Sequence, residues 1–280
     1  MGVPGNASET INHGPKRRWT GFIGNLTLIA TLLVAPVVAI TATPQTAEAA
    51  NLGLFDPGYI ISDELFYDGN AMTAAQVQSF LNSMVGSCPA VNGYPCLKNY
   101  IGTTVQKQAS PNVNGPGYRC STITGGRTLT AAQIIAEVGQ ACGISQKALL
   151  VILQKERGLV TKTSPNSGDY NISMGYGCPD TAPCNAEYYG FFNQVFLAAQ
   201  QYKVYKDRAN NYSYRAGRNN FIYWHPNASC GGSNVFIRNQ ATAGLYIYTP
   251  YQPNTAALNA GYGTGNSCSS YGNRNFFHYY

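Results

Sequence analysis

Ser145-Gln146-Lys147-Ala148-Leu149-Leu150-Val151-Ile152-Leu153-Gln154-Lys155-Glu156-Arg157-Gly158 is the most regular stretch of this 280-residue chain. Ser145 suits an N-cap and Gly158 a helix stop, so the spacing predicts a helix over 146–157. Leu149, Ile152 and Leu153 form its apolar face. Glu156 falls at +7, +4 and +3 from them and continues that face. It also lies in the last turn, where the helix dipole opposes an anion. Both placements favour the neutral acid, the form that general-acid cleavage of a glycosidic bond uses.

Outward from this helix, Thr130 caps a second one over 131–142, closed by Gly143. A longer helix is predicted over 188–205, with Phe192, Val195, Phe196, Ala199 and Tyr202 at helical spacing. Segments 220–225 and 233–238 read as a β-hairpin around Asn227-Ala228-Ser229-Cys230-Gly231-Gly232. A short helix over 241–248 follows, then a Gly/Asn/Tyr-rich tail with a helical piece over 255–259. On the N-terminal side, Phe55-Asp56-Pro57-Gly58 is a turn, and Thr73 caps a helix to Met84 with Val77, Phe80 and Leu81 on one side. Residues 85–126 are dense in Gly, Pro, Asn and Ser and hold three cysteines, which predicts a disulfide-pinned loop. The expected organisation is a leader over 1–49, an N-terminal disulfide-pinned segment over 50–128 and a main domain over 129–280. The expected fold class is α+β, predominantly helical, with a small β-hairpin and disulfide staples.

Composition narrows the function classes. Only 11% of residues are charged and 12% are aromatic, which excludes intrinsic disorder. A net charge of +6 over this length forms no dense basic patch for nucleic acid. Lys16, Arg17 and Arg18, the apolar run 22–40 and Ala47-Glu48-Ala49 read as a cleavable signal peptide. Asn25, Thr27, Thr31 and Pro36 weaken the rival reading of a membrane anchor. Without the leader, 15 basic and 10 acidic residues give a net +5, a bias toward anionic surfaces such as a bacterial wall. A secreted, wall-associated location without stable membrane insertion is expected.

All eight cysteines, Cys88, Cys96, Cys120, Cys142, Cys178, Cys184, Cys230 and Cys268, follow the leader, which suits an oxidising compartment. Spacing alone leaves the connectivity open; pairing in chain order is the preferred expectation. Zinc is disfavoured, since the chain has no Cys-x-x-Cys and only His225 and His278 beyond the leader. No metal and no cofactor are expected. No P-loop, no dinucleotide fingerprint and no Gly-x-Ser-x-Gly elbow is present.

The stretch 145–156 resembles the helix that carries the catalytic Glu in the lysozyme-like superfamily, above all its soluble lytic transglycosylase and glucosaminidase branches. Ala257-Leu258-Asn259-Ala260-Gly261-Tyr262-Gly263 is similar to the sugar-lining "YNAG" loop of lytic transglycosylases. Met174-Gly175-Tyr176-Gly177 is similar to their Gly-rich, substrate-contacting segment. Arg157 and Gly158 depart from the Ser that usually follows the catalytic Glu, the Gly-Leu-Met-Gln segment is absent, and Leu258 replaces the Tyr of the loop. The chain also resembles actinobacterial secreted proteins termed hemagglutinin-like, through Phe55-Asp56-Pro57-Gly58, residues 175–179, 241–251 and 262–268.

The resemblance implies a peptidoglycan-cleaving glycosidase or lytic transglycosylase acting on β-1,4 bonds, with Glu156 as general acid. Asp169, or Asp180 on the same loop, is the candidate second carboxylate, to hold a water or steady an oxocarbenium ion. Tyr176, Tyr248, Asn259 and Tyr262 are the candidate substrate-binding residues, with Tyr246 and Tyr251 as further stacking candidates. The expected partner is peptidoglycan or a related N-acetylated glycan, and the oligomeric state is open. The alternative is a non-catalytic, carbohydrate-binding adhesin on a lysozyme-like frame. On sequence grounds, Glu156→Gln should abolish wall clearing and leave thermal stability unchanged or raised.

Overall fold

The computed structural model describes residues 52–179 and 182–280; the expected leader and Asp180 lie outside the described residues. The chain is a mixture of helix and antiparallel sheet. Helices α1 (Asp63–Phe66) and α2 (Ala74–Met84) come first. Four short strands follow: β1 (Ile101–Thr103), β2 (Ser110–Pro111), β3 (Tyr118–Cys120) and β4 (Thr128–Thr130). Next come α3 (Ala131–Cys142), α4 (Gln146–Arg157), α5 (Ser167–Asn171) and α6 (Phe191–Asp207). The hairpin of β5 (Arg218–Tyr223) and β6 (Gly232–Ile237) precedes α7 (Gln240–Tyr248), α8 (Thr255–Asn259) and α9 (Gly272–Tyr279).

Local chemistry explains several boundaries. Thr73 and Thr130 each close a reciprocal capping box, with Gln76 and Gln133 respectively. Gly143 and Gly158 end α3 and α4 in the left-handed conformation, at φ 59° and 63°. Ser145 stands at the N-cap of α4, but its side chain makes no capping hydrogen bond. Helix α6 starts at Phe191, later than the expected 188, because Gly190 at φ 96° separates it from the 3-10 turn Ala186–Tyr188. In the hairpin, Arg218 pairs with Ile237 through to Tyr223 with Gly232.

The core is built around α4. Ala148, Leu149, Leu150, Val151, Ile152 and Leu153 are all buried, so this helix is enclosed on every side and does not present a single apolar stripe. Helices α9 and α3 pack directly against it. Ile134, Ile135 and Val138 of α3, Phe276 of α9, Phe196 and Tyr202 of α6 and Tyr246 of α7 share its buried cluster. Phe66, Val77, Leu81 and Leu97 belong to the same cluster. The expected boundary at 128 therefore runs through one shared core, and β4, which spans it, pairs with β1. Gln146 ties the halves together: its amide donates to Gly69 O at 2.6 Å and accepts from Met72 N at 3.0 Å. The expected loop 85–126 holds three strands: β2 and β3 form one two-stranded sheet, and β1 pairs with β4 just beyond the loop.

The cysteines pair in chain order as Cys88–Cys96, Cys120–Cys142, Cys178–Cys184 and Cys230–Cys268. No helix among the described residues is long and apolar enough to cross a membrane.

Asp207, at the end of α6, holds the β2–β3 turn. It accepts from Val113 N at 2.9 Å, Asn114 N at 2.8 Å and Arg119 Nε at 2.8 Å. Burial alone would raise its pKa, but these donors and the Arg119 charge outweigh it and hold the carboxyl at about 2. A depressed carboxylate stabilises the fold above its unfolded value and loses that contribution as pH falls. Stability should therefore drop between the ordinary Asp range and pH 2. Acid titration of Asp207→Asn by circular dichroism should show a smaller drop over that window; an unchanged acid limb would contradict this.

Candidate functional site

The candidate site lies at the C-terminal end of α4, where the buried helix releases its last turn. Glu156 is partly exposed, its side chain at 26%, whereas the neighbouring Lys155 side chain is only 3% exposed. Lys155 donates to the Glu156 carboxyl and, at 3.2 Å, to Thr249 Oγ1. Its ammonium also lies 5.8 Å from the centre of the Tyr248 ring. The helical pattern counted Glu156 as the one charge on a buried face. Because α4 is enclosed all round, Lys155 is buried too, and the acid has a cation beside it.

Opposite the carboxyl stands the Met174-Gly175-Tyr176-Gly177 segment. Gly175 has φ 70°, and a Cβ built there would sit 3.1 Å from Glu156 Oε2. Glycine thus serves twice, permitting the left-handed backbone and leaving room for the carboxyl. The segment is clamped from α6 by Gln194, which is fully buried. Gln194 Oε1 accepts from Met174 N at 3.2 Å and Tyr176 N at 3.1 Å. Its Nε2 donates to Tyr176 O and Tyr188 O, both at 2.9 Å. Helical spacing gave Gln194 no role; its signal is an amide at a position flanked by Phe191, Phe192, Val195 and Phe196.

Tyrosines wall this corner. Tyr248 donates to Met174 O at 2.7 Å and stacks on Tyr202, ring centres 5.0 Å apart. Burial, and after it the Glu156 carboxylate, pushes the Tyr248 hydroxyl well above its ordinary pKa. Tyr248 is therefore a neutral wall with one face already covered. Tyr176 is partly exposed and meets Tyr188 edge-on at 5.2 Å.

The other expected residues lie elsewhere. Asp169 is 1% exposed and closes the capping box of α5 with Asn166. Its Oδ1 accepts from Lys162 at 2.8 Å and Arg157 at 3.1 Å, and its Oδ2 from Asn166 N at 2.9 Å. Burial opposes its charge, but the Lys162 hydrogen bond, Asn166 and the two cations win and lower its pKa. Both oxygens are engaged, so the geometry makes Asp169 a structural anchor and not a water holder. Asn259 is exposed at the end of α8. Tyr262, 61% exposed, packs on His278 with ring centres 3.5 Å apart. No contact joins either of them to Glu156 among the described residues. Tyr246 is fully buried and donates to Pro57 O, which leaves it no stacking face.

No family model matches this chain, and no curated protein and no solved structure matches it either.

Gly175→Ala tests the closeness of Gly175 and Glu156. The left-handed backbone should cost about 1–2 kcal/mol in a residue with a Cβ, and the new methyl must displace the carboxyl. If the chain has the wall-cleaving activity that its sequence resemblance implies, clearing should fall at least tenfold, beyond what the loss of folded protein explains. Parallel thermal melts and clearing rates check this; full turnover in a destabilised variant would contradict it.

Proposed function

We propose that the chain is a secreted glycan-cleaving enzyme on a lysozyme-like frame, acting on β-1,4 bonds of peptidoglycan or a related N-acetylated glycan. One observation carries this reading: a buried helix delivers a single, partly exposed carboxyl against a left-handed glycine in a tyrosine-walled corner. The sequence resemblance to the catalytic helix of the lysozyme-like superfamily agrees with it. Four disulfides, and the lack of a membrane-crossing helix among the described residues, are compatible with a secreted protein.

Glu156 serves as the general acid, giving its proton to the glycosidic oxygen as the C–O bond breaks. Lys155 orients the carboxyl. With Asp169 engaged by Lys162, Arg157 and Asn166, the reading uses one acid. Attack by the substrate's own hydroxyl on the anomeric carbon closes an anhydro end and returns the hydroxyl proton to Glu156. Attack by its acetamide oxygen gives an oxazolinium ion that a water then opens, the water losing a proton to Glu156 and leaving a reducing end. Mass spectrometry of products released from purified walls distinguishes the branches. An anhydro end marks a transglycosylase, a reducing muramic acid a muramidase and a reducing glucosamine a glucosaminidase. Absence of any soluble product would refute all three.

A second reading is a non-catalytic carbohydrate-binding adhesin. The Lys155–Glu156 contact favours it, because a carboxylate held by a buried ammonium also suits a purely structural pair.

A further inference from the structure

Trp224 follows β5 at the tip of the hairpin and is partly exposed. Gly231, at φ 79°, packs against it: a Cβ built there would lie 3.2 Å from the six-membered ring. The glycine backbone thus lies close to the Cζ3–Cε3 edge of the ring. Beside it runs a groove of about 540 Å³ between the hairpin tip and the tail, whose walls the Cys230–Cys268 disulfide staples together. Glu156 does not line it, and neither do Asn259 or Tyr262.

The chemistry of the lining is specific. No lining residue carries a charge. Pro253 and Leu258 supply apolar surface, while Gln252, Thr255 and Asn266 supply polar groups. Gln252 Nε2 is used on Ile222 O at 2.8 Å and Ser233 Oγ at 2.8 Å, and its carbonyl oxygen has no partner among the described residues. Asn266 Oδ1 accepts from Asn254, Cys268 N and Ser269, its backbone N–H donates to Ser269 Oγ, and its side-chain Nδ2 donates to no described residue. The Thr255 hydroxyl and the Trp224 indole N–H are likewise unpartnered among the described residues. The groove therefore combines an indole ring, apolar patches and neutral hydrogen-bonding groups of both kinds.

We propose that this groove is a second glycan site, binding an uncharged oligosaccharide of N-acetylated hexosamines with Trp224 as its stacking platform. A pyranose presents an apolar C–H face to the ring and hydroxyls at its rim. An acetamido group offers one N–H and one C=O, matched here by Gln252 Oε1 and Asn266 Nδ2, and a methyl suited to Leu258. The absence of charge argues against an acidic polymer or a phosphate, which would leave its charge uncompensated. The site is separate from Glu156, so it operates whether or not the chain cleaves its ligand.

The chain has two tryptophans, Trp19 and Trp224. In a full chain carrying Trp19→Phe, all indole fluorescence comes from the groove. Adding Glu156→Gln keeps the probe from being cut. Titration with the pentamer of β-1,4-linked N-acetylglucosamine should give a saturable blue shift and protect Trp224 from acrylamide quenching. Cellopentaose, which lacks acetamido groups, should bind at least fivefold more weakly. Leu258→Glu, confirmed folded by its melting curve, should weaken the pentamer at least tenfold. No saturable change at millimolar pentamer would overturn the proposal, as would unaltered binding by Leu258→Glu. Equal affinity for cellopentaose would overturn its acetamido part. Wall cleavage by the unsubstituted chain is read separately, so loss of one result leaves the other standing.

Discussion

Glu156→Gln should lower the release of soluble fragments from purified walls by about 10³-fold, the size expected when a general acid is lost. Glutamine keeps the shape and an oxygen for Lys155 but has no proton to give to a leaving oxygen. The stability effect differs in sign from what the sequence alone suggests. A lone carboxyl at the edge of a core would be relieved by neutralisation, giving an equal or higher melting temperature. Here Lys155, its side chain only 3% exposed, is left with an amide in place of a carboxylate. Thr249 still accepts from the ammonium, so the variant should lose about 1 kcal/mol and remain folded at ordinary temperatures. Thermal melts beside the release assay separate the two effects.

Gln194→Leu should produce the largest stability loss, roughly 3–4 kcal/mol, because backbone N–H groups and carbonyls at the segment lose their buried partners while leucine satisfies none of them. The four hydrogen bonds of Gln194 fix Met174, Tyr176 and Tyr188 on α6. Through Met174 they also fix the carbonyl that receives Tyr248. Losing them frees Gly175 from its place against Glu156, so activity should fall further than the folded fraction. Gln194→Glu keeps the acceptor oxygen but loses the amide donor, and should recover only part of the stability. Denaturant melts of the two variants check this; a loss under 1 kcal/mol for leucine would show that the segment is held by something else.

The fold was legible where local chemistry decides it. Thr73, Thr130, Gly143 and Gly158 mark helix ends through their own backbone preferences, and the alternation about Asn227 to Gly232 marks the hairpin. It was illegible where distant partners decide it. Strands β1 and β4 are three residues each and pair across an intervening stretch that holds β2 and β3. Helix α9, in a tail that reads as loop, depends on Arg274, which is 3% exposed and donates to Ala257 O and Gly263 O at 2.9 Å. The same contacts, with Cys230–Cys268, place Asn259 and Tyr262 where the local likeness of 257–263 to a sugar-lining loop did not foretell. The place of Glu156 in the last turn of α4 follows from helical spacing, and Gly175 and Tyr176 are singled out by resemblance; their part in any chemistry belongs to the proposal. Lys155 and Gln194 escaped because the heptad-like count credits only apolar residues with burial, and a buried lysine or glutamine is revealed by its partners alone.

In the proposed mechanism Glu156 performs the chemistry. The most direct test is mass spectrometry of soluble products after purified peptidoglycan is incubated with the unsubstituted chain and, in parallel, with folded Glu156→Gln. Muropeptides are expected from the former and none above background from the latter. Equal release by both, or release by neither, would contradict the mechanism.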